Sequence, residues 1–148
     1  MSGMTDLERV VAIEEIKVLM ARRCRSLDAR DWPTYQACHA PDHISRDTVA
    51  PGDVHSASLV DALKAFFAGI TSIHRVHSAE IEFSSPTEAT GIWAMEDRLY
   101  WKEGDQEHWM HGWGHYYDTY SKREGRWLFT SRRLERERRE KSQGATRL

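Results

Sequence analysis

The chain has 148 residues, 40% of them apolar, and 21 Lys plus Arg against 23 Asp plus Glu leave it a net charge of −2. That is one globular domain with enough apolar surface to bury a core, and neither a disordered polypeptide nor a strongly basic one. No apolar run approaches the roughly 18 residues of a membrane span, and the opening MSGMTDLERV lacks the basic and apolar regions of a secretory signal, so a soluble, cytoplasmic protein with no membrane partner is expected.

From Leu7 to Leu27 apolar residues recur at helical spacing (Leu7, Val10, Ile13, Ile16, Met20, Cys24, Leu27), uninterrupted by Gly or Pro, which predicts the longest helix. Asp31 reads as the N-cap of a short second helix, with Pro33 in its first turn, running to about His39 and closed by Pro41. His43 to Val49 reads as a strand and Pro51-Gly52 as a turn; a third helix starting at Ser58 or Asp61 carries Leu59, Leu63, Phe66, Phe67 and Ile70. The pattern then changes to strands: Ile73–Phe83, Glu88–Trp101, Glu107–Tyr120 and Trp127–Glu135, rich in aromatic and β-branched residues and separated by short polar turns.

Helices followed by a long-stranded meander predict an α+β domain, a curved, mostly antiparallel sheet covered by three N-terminal helices. Trp93, Trp101, Trp109, Trp113 and Trp127 all fall in strands, more aromatic surface than one sheet face consumes, so the other face is expected to meet a second copy of the chain in a homo-oligomer, a dimer or trimer. One domain spans residues 1–148. Residues 122–148 hold 10 basic and 4 acidic side chains and residues 1–121 hold 11 and 19. The basic tail, from about residue 136, reads as a solvated strand end running into a frayed terminus; Arg and Glu alternate in it and the body is acidic, so no nucleic-acid partner is expected. Cys24 and Cys38 lack CxxC spacing and read as reduced thiols.

Ile16, Met20, Cys24 and Asp28 form a row at i+4 spacing, which points the Asp28 carboxylate toward the apolar interior. A carboxylate there either ends the helix and orders the Ala29-Arg30 turn or partners a base. The histidines do not read as a metal site: His74 and His77 face opposite ways on a strand, as do His108 and His111, and His111 and His115 stand roughly 13 Å apart, too far to share one zinc. In Ile73-His74-Arg75-Val76-His77-Ser78 the face of His74, Val76 and Ser78 is the less charged, which makes His74 the interior histidine, either satisfied in the core or a base oriented by a carboxylate. Asp97 shares its face with Trp93, Met95, Leu99 and Trp101, so it is either paired, with His111 or a neighbour of Arg98, or functional.

Ser26-Leu27-Asp28-Ala29-Arg30-Asp31-Trp32, Ile73-His74-Arg75-Val76-His77, Gly114-His115-Tyr116-Tyr117-Asp118-Thr119-Tyr120 and Glu124-Gly125-Arg126-Trp127, in this order, resemble the scytalone dehydratase and SnoaL-like branch of the nuclear transport factor 2-like superfamily. The resemblance covers nearly the whole chain and implies a cone-shaped α+β barrel enclosing a largely apolar pocket. It places Asp28 at the family's aspartate and His74 at its histidine. Asp47 falls where the dehydratase has a pocket tyrosine, Leu99 near its second histidine, Tyr116 near a pocket asparagine, and Asp97 on a strand that carries an acid in bile-acid dehydratases of this fold. Leu27 stands where the dehydratase has a catalytic tyrosine.

These residues together imply a lyase or isomerase without cofactor or metal, acting on a hydrophobic cyclic molecule such as a polyketide, steroid or aromatic catabolite. His74 and Asp28 are the expected catalytic residues, and Asp97, Asp47, Trp93, Met95, Leu99 and Tyr116 the expected substrate contacts. In this scheme Asp97 or Tyr116 donates a hydrogen bond to the developing oxyanion or departing hydroxyl. The competing reading is a non-catalytic small-ligand carrier or dimeric adaptor of the same fold. Epoxide hydrolysis would need an Asp-Arg-Asp arrangement, and Arg98 points away from Asp97 on a regular strand.

Overall fold

The computed structural model describes residues 3–46, 48 and 51–148; Asp47 and the Val49 end of the expected first strand lie outside them. Helix α1 (Asp6–Asp28) opens with a capping box, in which the Thr5 hydroxyl accepts from the Glu8 amide and the Glu8 carboxylate accepts from the Thr5 amide. Helix α2 (Trp32–Ala37) is capped by Asp31 as expected and ends two residues before His39. His39 already belongs to β1 (His39–Arg46), because the residues around Pro41 favour extended backbone. A three-residue strand the sequence did not signal, β2 (Asp53–His55), leads into α3 (Ser56–Phe66), which begins earlier than Ser58, directly after His55, whose extended backbone forms the N-cap without a side-chain hydrogen bond. Four long strands follow: β3 (Thr71–Ser85), β4 (Glu88–Glu103), β5 (Gln106–Arg123) and β6 (Arg126–Lys141).

The strands form one six-stranded sheet in the order β2-β1-β6-β5-β4-β3, antiparallel except where β1 lies parallel to β6. It curves around the helices without closing, so the expected α+β cone is an open one with β2 and β3 at its edges. Along β4 and β5 burial alternates: Trp93, Met95, Asp97, Leu99 and Trp101 face inward beside His108, Met110, Gly112, Gly114, Tyr116, Asp118 and Tyr120.

Two apolar clusters make up the core. One joins Ile16, Leu19 and Met20 of α1 to Trp93, Met95, Tyr116, Tyr120, Trp127 and Phe129. The other joins Leu27, Tyr35, Leu59, Leu63, Phe67, Ile70, Leu99, Trp101 and Met110.

The C-terminal segment corrects the expectation of a frayed tail. β6 stays paired with β5 as far as Met110 opposite Lys141, and Ser142 then bonds to Trp109 and His108. Thr146 donates to Glu103, the Arg147 guanidinium donates to the Phe66 and Ala68 carbonyls, and Leu148 packs on the second cluster. The Arg–Glu alternation is strand chemistry: Arg133 pairs with Glu135 and Arg138 with Glu140, two residues apart on one face.

Candidate active site

The site begins at the C-terminus of α1. The helix is closed by the Ala29, Arg30 and Asp31 amides, which donate to the Arg25, Leu27 and Ser26 carbonyls, and Arg30 takes the left-handed conformation (φ 58°) usual for glycine at such a point. Its guanidinium then reaches across to β3, donating to Ser72 Oγ (2.8 Å) and the Ile70 carbonyl as well as to the Leu27 carbonyl. This clamp sets Asp28, the last residue of α1, against the first residues of β3.

Asp28 uses both carboxylate oxygens on His74. Oδ2 accepts the His74 backbone amide at 2.8 Å and Oδ1 lies 2.7 Å from Nδ1, while Ser72 Oγ also donates to Oδ1 at 2.9 Å. An ionised carboxylate only accepts, so the neutral imidazole carries its proton on Nδ1 and leaves the Nε2 lone pair for the other side of the ring. No hydrogen bond engages Nε2 among the described residues, and the edge of the Phe67 ring stands against the imidazole with centroids 6.0 Å apart. His74 is 6% exposed.

His74 lines an interior cavity of about 60 Å³ together with Leu27, Leu63, Phe66, Phe67, Leu99, Leu134, Thr48, Tyr116, Arg23, Asp97, Arg132 and Arg136. An outer cleft of about 520 Å³, lined by Cys24, Asp28, Ser72 and Arg75 among others, lies on the solvent side of the same pair. Of the residues singled out from sequence, the structure brings His74, Asp97, Leu99 and Tyr116 together at this cavity, while Asp28 holds His74 from the outer cleft. Trp93 and Met95 share a face with Asp97 but stand toward the other core cluster, where Trp93 Nε1 donates to the Tyr120 hydroxyl (2.8 Å), so neither lines the cavity.

Asp97 is paired neither with His111 nor with a neighbour of Arg98. It sits opposite Gly112, and Arg136 of β6 reaches over that glycine to bind it at both oxygens, Nη1–Oδ1 3.0 Å and Nη2–Oδ2 2.8 Å. A carboxylate held in this fork is an acceptor with no proton to give, which removes Asp97 as a donor to an oxyanion. A Cβ on Gly112 would collide with the Arg136 guanidinium and Asp97 Oδ1, so glycine is what allows the pair to bridge. Tyr116 keeps a donor: burial pushes its phenol above the usual range, against the pull of Arg132, and its hydroxyl makes no hydrogen bond among the described residues. Leu27 is buried at the cavity wall, where it offers packing and no hydroxyl.

With this geometry, residues 8–133 match the family of SnoaL-like domains. The chain belongs to that family. Its fold is that of a putative scytalone dehydratase from Novosphingobium aromaticivorans, with a TM-score of 0.82 at 21% identity over 93% of this chain and 91% of that one. It is similarly close to a type 2 hexachlorocyclohexane dehydrochlorinase LinA, with a TM-score of 0.82 at 18% identity over 95% of each chain. A type 3 LinA from Novosphingobium barchaimii aligns with a TM-score of 0.77 at 19% identity over 95% of this chain and 97% of that one. The expected nuclear transport factor 2-like architecture is thus the one observed. No helix among the described residues is long and apolar enough to cross a membrane.

Three arginines of this SnoaL-like cavity, two of them buried, carry no signal in the motifs singled out from sequence. Arg132, 1% exposed, binds Asp118 through Nε (2.7 Å) and Nη2 (2.8 Å) and lies over the Tyr116 ring, with its Cζ 3.5 Å from the centroid. Arg136 holds Asp97, and Arg23, on the inner face of α1, donates to His39 Nε2 (3.1 Å) and the Tyr35 hydroxyl (2.8 Å). For Arg23 the signal lies in the helix itself: it follows Leu19 and Met20 and precedes Leu27 at helical spacing, a cation within the apolar stripe. For Arg132 and Arg136 alternation counted from Trp127 misleads, because the register of β6 against β5 slips between Phe129 and Ser131 and turns the even-numbered residues inward.

Proposed function

We propose that this protein is a cofactor-independent lyase or isomerase of the dehydratase type, with His74 as general base and Asp28 as the group that orients it. The observation that carries the reading is the two-point grip of Asp28 on His74, which fixes tautomer and ring angle and leaves Nε2 without a hydrogen bond among the described residues, on a ring that lines the cavity. Nε2 would take a proton from a carbon next to a carbonyl or a leaving group, and the Asp28 carboxylate would balance the positive charge that develops on the ring. The Tyr116 hydroxyl would donate to the oxygen that gains charge, in surroundings made dry by Leu27, Leu63, Phe67 and Leu99.

The proposed substrate is a small, largely apolar cyclic molecule. The cavity, at about 60 Å³, is smaller than the ~150 Å³ of an apolar cavity that takes benzene, so a ring enters only with displacement of the side chains α3 presents, Leu63, Phe66 and the following Phe67. The dehydratase and dehydrochlorinase names of two structural neighbours agree with proton abstraction coupled to loss of a leaving group.

The test is a panel of cyclic hydroxy-ketones and cyclic halides assayed for loss of water or halide. Turnover by the native chain, with Tyr116→Phe slowed about 10- to 1,000-fold and still folded, supports the scheme. Tyr116→Phe turning over at the native rate would remove the tyrosine from the mechanism. Ligand binding without turnover of any member would favour the carrier reading.

A further inference from the structure

The arginines around the cavity are not equally paired. Arg132 is neutralised by Asp118 and Arg136 by Asp97, each pair joined by two hydrogen bonds. Asp28, the remaining carboxylate, is engaged by Ser72 and His74. Arg23 is left over: it is 6% exposed, and among the described residues its partners are the neutral Tyr35 hydroxyl, His39 and the faces of Tyr35 and Phe129. His39 donates from Nδ1 to the Tyr35 carbonyl and accepts Arg23 Nε–H at Nε2, the arrangement of an uncharged ring; burial, with Arg23 beside it, holds its pKa well down. A guanidinium keeps its proton in any protein environment, so one full positive charge stands at the cavity wall against dipoles alone.

A second, independent observation lies beside it. Nη1 of Arg132 is buried and has no hydrogen-bond partner among the described residues, although the other two nitrogens of the same guanidinium are satisfied by Asp118. Buried donors of this strength are rarely left without an acceptor. Arg23 and Arg132 line the same small space as His74.

We infer that the ligand of this cavity carries a carboxylate, which is received by Arg23 and the unpaired Nη1 of Arg132. This refines the apolar substrate proposed above into an apolar acid. It rests on the cavity being the ligand site and does not require turnover. Arg23 and Arg132 then set which molecules are admitted, while His74 faces the reacting carbon from β3.

The experiment is a calorimetric or NMR titration of the full chain with acetate, butyrate and benzoate, each against its uncharged amide: acetamide, butyramide and benzamide. At pH 7 at least one carboxylate is expected to bind about tenfold or more tighter than its amide, with Arg23→Gln abolishing that preference and the exposed Arg138→Gln preserving it. Equal affinity for acid and amide in every pair, or binding by none of the six, would overturn the inference, as would a carboxylate preference that survives in folded Arg23→Gln. Should Arg23→Gln fail to fold, the acid–amide comparison on the native chain still decides, with a benzoate-bound crystal structure locating the carboxylate at, or away from, Arg23. His74→Ala separates the two proposals: it keeps carboxylate binding if the anion site is real, whether or not native turnover is ever observed.

Discussion

Arg30 adopts a backbone conformation that costs a non-glycine residue on the order of 1 kcal/mol, and it does so at the junction between the carboxylate and the imidazole of the site. The gain is its side chain: the guanidinium ties the last turn of α1 to Ser72 and Ile70, and Ser72 in turn donates to Asp28. A glycine would relieve the strain and lose the tie. Arg30→Gly is therefore expected to change the melting temperature little, because the two effects oppose, while lowering turnover about 10- to 100-fold through a loosened Asp28; a steady-state assay beside a thermal melt checks both. Asp28 and His74 were legible in the sequence because each follows from a simple periodicity, i+4 along one helix row and alternation along a short undistorted stretch of strand. Arg30 was not, since nothing in its local sequence distinguishes a positioning arginine from a solvated turn residue. The partner of Asp97 was hidden for a different reason: Arg136 lies two strands away and meets Asp97 only across Gly112.

At the scale of elements, simple alternation assigns faces correctly where strands are regular and misassigns them where strands slip. The helices, the four long strands and their turns follow from apolar spacing and turn residues, whereas the parallel pairing of β1 with β6 depends on contacts between residues about ninety positions apart, such as His39 opposite Phe129. β3 is irregular between His77 and Glu80, where Ser78 has φ 53°, and past that point Ala79, Ile81 and Phe83 take the inward positions. β6 slips twice: the first slip sets the register that brings Arg136 opposite Gly114, where a Cβ would strike the β6 backbone, and the second falls just beyond it, between Arg136 and Arg138.

β1 carries a titration consequence. Burial, with Arg23 next in effect, lowers the pKa of His43 to about 3 and that of His39 well below 6.5. The unfolded chain therefore binds protons near pH 6.5 that the folded chain refuses, so stability is full above that pH and falls as the pH drops toward the folded value of about 3 for His43. The slope is roughly 1 kcal/mol per pH unit for each ring. Urea unfolding at several pH values between 7 and 4.5 measures it, and His43→Gln, which keeps polar contacts without titrating, should flatten the dependence by about half. An unchanged slope in that variant would show that His43 does not resist protonation in the folded chain.

For the whole molecule, the outward face of the sheet is as distinctive as the cavity. Trp109, His111 and Trp113 alternate along β5 with His111 tilted against Trp109 (centroids 4.7 Å, 41° between planes), Tyr100 of β4 lies beside them, and all four are only partly exposed. An aromatic row of this kind suits the flat contact of a homo-oligomer. Sedimentation velocity should give two or three times the monomer mass, and Trp113→Lys should shift the chain toward monomer. A native monomer at micromolar concentration would set that aside without touching the site, which is assembled within one chain. The proposed transfer of a proton from carbon to Nε2 of His74 can be tested before any leaving group is known, by following deuterium uptake next to the carbonyl of cyclic ketones in D₂O by NMR. Exchange well above the buffer rate in the native chain, reduced about 10²- to 10⁴-fold in both His74→Ala and Asp28→Asn with the fold retained, is the predicted result. Exchange at the same rate in all three folded proteins would contradict it.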